Sequence, residues 1–127
     1  MDEHPNVTAV REWSKQIENG DLMAAADGLA DDVVWYEIGR SEPTRGKEAL
    51  RSRFSEMGDY EINPTTHDVV GNDEHVVQLV NVTARNTRTG QSLDYRTAEI
   101  YHMQDGKVTA RWAFSDDTAR ILEFFAT

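Results

Sequence analysis

Apolar residues follow a helical spacing over the first part of the chain and a strand-like alternation over the second half. Near the N-terminus they recur every three or four residues, which places them on one side of an α-helix: Val7, Val10, Trp13 and Ile17. Asn6, next to Pro5, is the expected N-cap of this helix. Asn19-Gly20 predicts its end, because glycine readily adopts the left-handed conformation found there.

Three further elements and a loop are predicted before residue 58. Residues 22–29, LMAAADGL, predict a second helix that is capped by Asp21 and has one apolar side formed by Leu22, Ala25, Ala26 and Leu29. The run VVWYEI at 33–38 is β-branched and aromatic, which is typical of a strand. The turn-forming residues of 39–46 predict a loop. Residues 47–57 return to helical spacing, with Leu50, Phe54 and Met57 on one side.

The second half predicts a sheet followed by a short helix. Alternating apolar residues separated by short turns predict antiparallel strands around 61–70 and at 75–86, 92–103 and 107–115. Ser115-Asp116-Asp117 is a capping signal for a final helix carrying Ile121, Leu122, Phe124 and Phe125. Helices on one side of a curved, mostly antiparallel sheet indicate an α+β fold. Because no linker or repeat divides residues 1–127, we expect one domain.

Composition and charge exclude several classes of protein. The 127 residues include 13 Lys and Arg, 23 Asp and Glu and no Cys, for a net charge of −10. A chain without cysteine has no disulfide framework and no thiol nucleophile, and an acidic chain lacks the basic face of a nucleic-acid-binding protein. No apolar run reaches the ~18 residues of a membrane span, and the charged N-terminus lacks the apolar core of a signal peptide. We therefore expect a cytoplasmic protein that binds neither nucleic acid nor membrane.

The predicted order of elements and one ungapped run resemble the steroid Δ-isomerases and SnoaL-like polyketide cyclases of the nuclear-transport-factor-2-like superfamily. The run is residues 29–54, LADDVVWYEIGRSEPTRGKEALRSRF. It is similar to the isomerase pattern FADD-x-x-x-x-D-x-x-x-SEP-x-x-G-R-E-A-I, with the ADD, SEP, G and EA elements coinciding. The resemblance implies a cystatin-like cone, in which the N-terminal helices pack on the curved sheet and a short helix ends the chain.

The resemblance also implies a set of catalytic residues. It places Glu37 on the family's catalytic aspartate, the base that moves a proton beside a carbonyl. Aligned through Gly106-Lys107-Val108, it places Glu99 on a second carboxylic acid, which in the family stays protonated and donates to the developing oxyanion. Trp13 falls where the family has an oxyanion-binding tyrosine, so that an indole N–H replaces a hydroxyl.

Glu37 is predicted in the middle of an otherwise apolar and aromatic strand, VVWYEI. Alternation puts it on the same face as Val33 and Trp35. One interpretation is a carboxylate in water, or one paired with Arg40 or Arg45, since charged residues are mostly exposed. The resemblance favours the other interpretation, a buried base without a partner, whose ionisation is opposed by the loss of hydration.

Glu99 lies in a stripe of alternate residues on the predicted strand 92–103. It shares one face with Tyr95, Thr97, Tyr101 and Met103. This stripe either lines a ligand cavity or forms a packed surface that contains one paired acid. Under the first interpretation the predicted substrate-binding residues are Trp35, Phe54, Tyr95, Tyr101, Met103 and Arg111.

Arg111 has two possible orientations. The register implied by the resemblance turns Arg111, Ala113 and Ser115 into the cone. Hydrophobic alternation instead buries the opposite set, Val108, Ala110, Trp112 and Phe114. Both hold if the second face is buried in a dimer. An inward Arg111 would pair with Glu99 or Glu37 and keep that acid ionised, which opposes the protonated role.

Three functions remain open at this point. The first is a cofactor-independent isomerase or cyclase that acts on a small hydrophobic carbonyl compound, with Glu37 as base. The second is a non-catalytic binding module of the same fold, and the third is an epoxide-hydrolase-like enzyme in which Glu37, Arg111 and Glu99 imitate an Asp-Arg-Asp relay. Apolar residues on both faces of residues 76–82 predict a homodimer built on the sheet. The four histidines are too scattered for a metal site, and we expect no metal.

Overall fold

Helices cover one face of a six-stranded sheet. The computed structural model describes residues 3–20 and 25–126. Three helices lie entirely within these residues, α1 (Pro5–Glu18), α2 (Lys47–Ser55) and α3 (Thr118–Phe125). The strands are β1 (Leu29–Trp35), β2 (Thr44–Arg45), β3 (Tyr60–Gly71), β4 (His75–Asn86), β5 (Ser92–Gln104) and β6 (Lys107–Ser115). The α+β class is confirmed.

The strand order is β2-β1-β6-β5-β4-β3. Only the contact between β1 and β6 is parallel, and the other pairs are antiparallel, as the short turns predict. On the face that the helices cover, α1 packs on β3 and β4, α2 on β1 and β2, and α3 on β5. Among the described residues, no helix is both long and apolar enough to cross a bilayer.

The predicted first helix is confirmed, but its N-cap is wrong. Val7, Val10 and Trp13 are buried, and Gly20, with φ +80°, follows the end of α1. His4 is the N-cap, since its Nδ1 accepts the backbone N–H of Asn6 at 3.1 Å. Asn6 is the second residue of the helix, and its side chain donates to carbonyl oxygens of the β3–β4 turn.

Only part of the second predicted helix lies within the described residues. Asp21 and Leu22 lie outside the described residues, whereas Ala25 and Ala26 are helical. Leu29 was predicted on the apolar side of this helix but is instead the first residue of β1, where it is buried. β1 also ends three residues before the predicted strand does, so that Glu37 follows the strand rather than lying within it.

The helix-covered face carries two separate hydrophobic clusters. The larger, which we call the first cluster, joins α1, α2 and the sheet through Val7, Val10, Trp13, Ala25, Leu29, Val33, Trp35, Leu50, Val69, Val76, Tyr101, Met103 and Val108. The second cluster packs α3 on the other end of the sheet through Ala84, Leu93, Ile121 and Phe124. Between them the same face carries buried polar side chains, including Gln78, Thr97 and Arg111. A polar region in this position needs partners for every buried group.

A β-bulge in β6 decides the orientation of Arg111. Met103 pairs with Val108, while the preceding residue, His102, pairs with Ala110, so β6 contains one extra residue at this point. Such an insertion reverses the alternation of the strand beyond it. Val108 and Arg111 consequently both face the helices, at 2% and 9% exposure.

The face of the sheet opposite the helices, which we call the outer face, carries apolar residues, and none of the described helices covers it. Val76, Val80 and Val82 face the helices, whereas Val77 and Leu79 face outward, so apolar residues lie on both faces of this strand, as predicted. Exposed on this outer face are Val70, Leu79 and Phe114, the last at 59%. Aromatic rings continue the face, since Trp112 contacts both Tyr36 and His102.

Candidate active site

Glu99 on β5 and Arg111 on β6 form an ion pair on the helix-covered face. Arg111 Nε and Nη2 donate to Glu99 Oε1 at 3.0 and 2.8 Å. Its Nη1 donates to the carbonyl oxygen of Tyr36 at 2.8 Å. The guanidinium carbon lies 4.5 Å from the centre of the Trp35 ring, which is a cation–π contact. Arg111 therefore faces inward, and the buried side expected from hydrophobic alternation is wrong for this half of β6.

The contacts of Glu99 suit a carboxylate rather than a carboxylic acid. A guanidinium at hydrogen-bond distance stabilises the ionised form. The Thr97 hydroxyl donates to the other oxygen, Oε2, at 3.0 Å. Only 14% of the Glu99 side chain is exposed, so little water competes with these partners. The protonated, donating role that the resemblance implied for Glu99 does not fit this environment.

Glu37 is held by an arginine of α2. Arg53 Nε donates to Oε1 at 2.8 Å and Arg53 Nη2 donates to Oε2 at 3.1 Å, a two-pronged pair, and this contact raises the pKa of the Arg53 guanidinium. Arg40 Nε lies 3.7 Å from Oε2. The expectation of a carboxylate without a partner was wrong. Since Arg111 contacts Glu99 and Tyr36, and Glu37 contacts these other arginines, the three-residue relay of an epoxide hydrolase is not assembled.

The two ion pairs lie on either side of one aromatic contact. Phe54 packs edge-on against Trp35, with ring centres 6.0 Å apart, and follows Arg53 in α2. Arg111 covers the same Trp35 ring. The tryptophan therefore connects the Glu37–Arg53 pair to the Glu99–Arg111 pair. Phe54 itself is 45% exposed, whereas Trp35 belongs to the first cluster.

Trp13 uses its indole N–H inside the fold. Nε1 donates to the carbonyl oxygen of Ala25 at 2.6 Å, in a buried position. The ring also packs edge-on against Trp35 and Tyr101. An indole has one donor, so the role that the resemblance implied, donation to a ligand oxygen, is excluded by this bond. Trp13 is a core residue that ties the chain near Ala25 to α1.

Tyr101 is the centre of a buried hydrogen-bond chain that sequence reasoning missed. Thr66 Oγ1 donates to Glu18 and therefore accepts from Gln78 Nε2, at 2.8 Å. This fixes the amide so that Gln78 Oε1 faces Tyr101, whose hydroxyl donates to it at 2.8 Å. Burial beside Glu99 raises the pKa of Tyr101 well above its usual value. The one sign of this chain in the sequence is a lone glutamine among the valines of residues 76–80.

Tyr95 lies on the same, helix-covered face of β5 as Glu99 and Tyr101, but on the opposite side of Thr97 along the strand. Burial raises its pKa to about 12, with Glu99 adding to the shift and Arg111 opposing it, so both charges act on its hydroxyl. Within residues 3–20 and 25–126, nothing forms a hydrogen bond with that hydroxyl. Its oxygen is not sealed from solvent either. Tyr95 thus retains its proton at neutral pH and has it available for donation.

A pocket of about 320 Å³ opens between the loop after β1 and the end of β6. It is lined by Tyr36, Glu37, Gly39, Arg40, Ser41, Trp112, Ala113, Phe114 and Thr118. The Tyr36 and Trp112 rings stack with their centres 5.2 Å apart, so one wall is aromatic. Ala113 pairs with Glu99 across β6 and β5, which brings the pocket to the strand position beside the Glu99–Arg111 pair.

The predicted site residues are only partly brought together. Glu37 lines the 320 Å³ pocket, whereas Trp35, Tyr101 and Met103 are buried in the first cluster. Met103 also borders a second pocket of about 20 Å³, which has room for about one water molecule. In the described part of the chain, no three His, Asp or Glu side chains are grouped closely enough to hold a metal ion.

Comparison with known proteins identifies a matching family and structures with the same fold. A family model described as a SnoaL-like domain matches residues 10–111. An NTF2-like protein of unknown function from Burkholderia pseudomallei K96243 superposes with a TM-score of 0.84 at 17% identity, over 98% of this chain and 99% of that one. A Xanthomonas campestris protein of unknown function with a cystatin-like fold gives a TM-score of 0.79 at 18% identity, over 91% and 94%.

An LEH-like epoxide hydrolase from M. tuberculosis is also similar, with a TM-score of 0.76 at 17% identity, over 96% of this chain and 87% of that one. At these identities the structures establish the fold alone. No curated protein matches the chain.

Proposed function

Because the chain belongs to the SnoaL-like domain family, we propose that it is an enzyme that acts without a cofactor on a small hydrophobic carbonyl compound by proton transfer, with Glu37 as the base. The reaction is an isomerisation or a cyclisation. The observation that carries this proposal is the position of Glu37 in the 320 Å³ pocket, beside the stacked rings of Tyr36 and Trp112.

The pocket supports a small, flat, largely apolar ligand. Its volume of about 320 Å³ is near the lower end of the ~300–1,000 Å³ typical of small-molecule sites. Aromatic walls favour a planar ligand, because stacked rings offer large apolar contact area. Glu37 and Arg40 are the two charged residues among those that line the pocket. A ligand bound against the aromatic wall therefore has a carboxylate at its edge.

Arg53 is compatible with a base at Glu37. Each oxygen of Glu37 accepts one N–H from Arg53, at 2.8 and 3.1 Å. A carboxylate has about four lone-pair positions, so each oxygen retains one with which to take a proton. The two-pronged contact also fixes the direction of the carboxylate, and a fixed base loses less entropy on reaching the transition state.

The reaction follows from this geometry. Glu37 removes a proton from the carbon next to the carbonyl, and the electron pair of that C–H bond moves into the carbonyl to give an enolate oxygen. In an isomerisation, Glu37 returns the same proton to another carbon of the conjugated system. In a cyclisation, the enolate carbon attacks a second carbonyl of the same molecule, and the new alkoxide takes the proton. Both outcomes balance without an oxidant or a metal.

Proton exchange tests the proposal without knowledge of the natural substrate. A panel of small enolisable cyclic ketones is incubated with the protein in D₂O, and loss of the α-proton signal is followed by NMR. We expect exchange that falls about a hundredfold or more in Glu37→Gln, since a positioned base contributes ~10²–10⁴-fold. Glu48→Gln, which changes an exposed glutamate of α2 that pairs with Arg51, is the matched control.

The outcomes separate this proposal from its alternative. Exchange that is equal in wild type and Glu37→Gln would remove Glu37 as the base. The Glu37–Arg53 pair favours one other candidate, a non-catalytic binding module in which the pair only closes the site. Ligand binding by the wild-type protein without exchange on any ketone would support that module.

We also propose that two copies associate through the outer face. Val70, Leu79 and Phe114 are exposed on it and lie among half-buried apolar and aromatic residues. A sheet face of this composition needs an apolar cover. Phe114 and Trp112 belong both to this face and to the pocket wall, so the partner would lie beside the pocket.

A further inference from the structure

The two charged residues that line the 320 Å³ pocket differ in how they are partnered. Glu37 forms a two-pronged ion pair with Arg53, whose Nε and Nη2 donate to its oxygens at 2.8 and 3.1 Å. Arg53 also contacts Glu56, an exposed carboxylate that is not among the lining residues. Arg40 Nε lies 3.7 Å from Glu37 Oε2, which is longer than a hydrogen bond. The positive charge at the pocket wall therefore has no hydrogen-bonded partner of its own.

The side-chain N–H groups of Arg40 are available to a ligand. Among the described residues they donate to no acceptor, and the 3.7 Å contact to Glu37 is their single ion pair. An exposed arginine on a plain surface is simply hydrated. Arg40 differs from such a residue because it lines a pocket, one wall of which is the stacked pair of Tyr36 and Trp112.

The loop after β1 fixes the backbone of Arg40 beside the pocket. The backbone N–H of Arg40 donates to the carbonyl oxygen of Glu37 at 3.1 Å, which closes a turn. Gly39, the third residue of this turn, has φ +78°, a conformation that favours glycine. A Cβ at Gly39 would lie 2.9 Å from Leu122 of α3, so the turn packs closely against that helix. The guanidinium thus extends from an anchored backbone.

We infer that Arg40 binds a carboxylate of the ligand, so that the substrates of the pocket are small planar carbonyl compounds that also carry a carboxylate. This inference rests on the proposed function and names its substrate class. A guanidinium presents two parallel N–H groups that match the two oxygens of a carboxylate. The flat body of such a ligand packs on the Tyr36–Trp112 wall, and its charged group lies at Arg40.

The charge of the chain makes this inference demanding. A net charge of −10 repels anions at long range. A preference for an anionic ligand over a neutral one of the same shape must therefore come from a local positive group. Arg40 supplies one such charge, which balances a singly charged carboxylate but not the second charge of a phosphate monoester. The carboxylate is accordingly the anion that we assign.

The test compares 2-naphthoate with 2-naphthamide, a neutral ligand of nearly the same shape, by calorimetric titration at pH 7 and low salt. We expect wild type to prefer 2-naphthoate, and Arg40→Gln to weaken 2-naphthoate binding about fivefold or more, the upper end for an exposed charge pair. Binding of 2-naphthamide should stay unchanged. Arg51→Gln is the matched control, because Arg51 is similarly exposed, at 52% against 58% for Arg40, but pairs with Glu48 on α2.

The outcomes for this inference are independent of catalysis. A loss of 2-naphthoate affinity confined to Arg40→Gln supports it, whether or not the protein exchanges ketone protons. Equal 2-naphthoate affinity in wild type and Arg40→Gln, or an equal loss in Arg51→Gln, overturns it even where exchange depends on Glu37. Tighter binding of 2-naphthyl phosphate than of 2-naphthoate overturns the carboxylate assignment. Failure of the wild-type protein to bind 2-naphthoate overturns the inference as well.

Discussion

The Glu99–Arg111 pair gives a sharp prediction about stability, because both side chains are almost enclosed, at 14% and 10% exposure. Replacing Glu99 with Leu leaves two guanidinium nitrogens facing an apolar side chain, at positions where they now donate over 3.0 and 2.8 Å. At ~1.5–3 kcal/mol for each bond to a charged group, the loss is about 3–6 kcal/mol. Arg111→Met has the complementary effect and leaves a buried carboxylate, so a similar loss of about 3–5 kcal/mol is expected.

The double variant Glu99→Leu/Arg111→Met should lose much less stability than the two single variants lose together. Both charges are then absent, and the remaining cost is the lost contact to the Tyr36 carbonyl and to the Trp35 ring. We expect about 1–2 kcal/mol for the double variant, against about 6–11 kcal/mol for the sum of the single ones, since buried ion pairs are often replaceable by apolar residues.

Urea unfolding with linear extrapolation measures these differences. By heat, a loss of about 4 kcal/mol corresponds to a fall of about 15 °C in Tm, because a chain of 127 residues has an unfolding entropy near 0.27 kcal/mol/K. Glu48→Ala, which breaks an exposed pair with Arg51, should change stability by less than about 1 kcal/mol. If the double variant loses as much as the two single variants together, the reasoning about uncompensated buried charge is refuted.

Three further outcomes are expected. Trp13→Phe should lower stability by about 1–3 kcal/mol through the lost bond to Ala25, while ligand affinity measured by titration stays unchanged; a selective loss of affinity would contradict this. Sedimentation should give about twice the 14.4 kDa of one chain, and Phe114→Glu should halve it; a wild-type monomer at micromolar concentration would count against the dimer. Because burial raises the pKa of Tyr95 to about 12, its contribution to the free energy of unfolding is intact below about pH 10 and falls as pH rises toward 12. Urea titrations at pH 9 and 11.5 should show a smaller fall in Tyr95→Phe than in wild type, and equal falls would show that Tyr95 is not buried.

Local patterns predicted most of the architecture, because each depends on a few neighbouring residues. The side of α1 formed by Val7, Val10 and Trp13, and the cap of α3 by Asp117, were both confirmed. The alternation on β4 also predicted apolar residues on both faces, and the structure has Val77 and Leu79 on the outer one. Amphipathic periodicity survives in the structure wherever a regular element buries one side.

The errors come from interactions between distant parts of the chain. The direction of Arg111 depends on a bulge opposite His102 and Met103, and no local feature of residues 107–115 marks the extra residue. The partner of Glu37 is Arg53, sixteen positions away on another element. The donor of Trp13 is taken by a carbonyl twelve positions away, which depends on how the chain folds back near Ala25. An alignment of residue types carries a role only where such tertiary partners are also preserved.

The separation of the two hydrophobic clusters has a consequence for motion. α3 is held to the sheet by the second cluster, which rests on Ala84, Leu93, Ile121 and Phe124, whereas α1 and the centre of the sheet share the much larger first cluster. Regions with few buried apolar contacts open at a lower free energy than the whole protein unfolds. Amide hydrogens of α3 should then exchange with solvent when the helix detaches locally from the sheet. Those of the central strands β4 and β5 should exchange only through global unfolding. Since Thr118 of α3 lines the pocket, each detachment of the helix would also remove one part of the pocket wall.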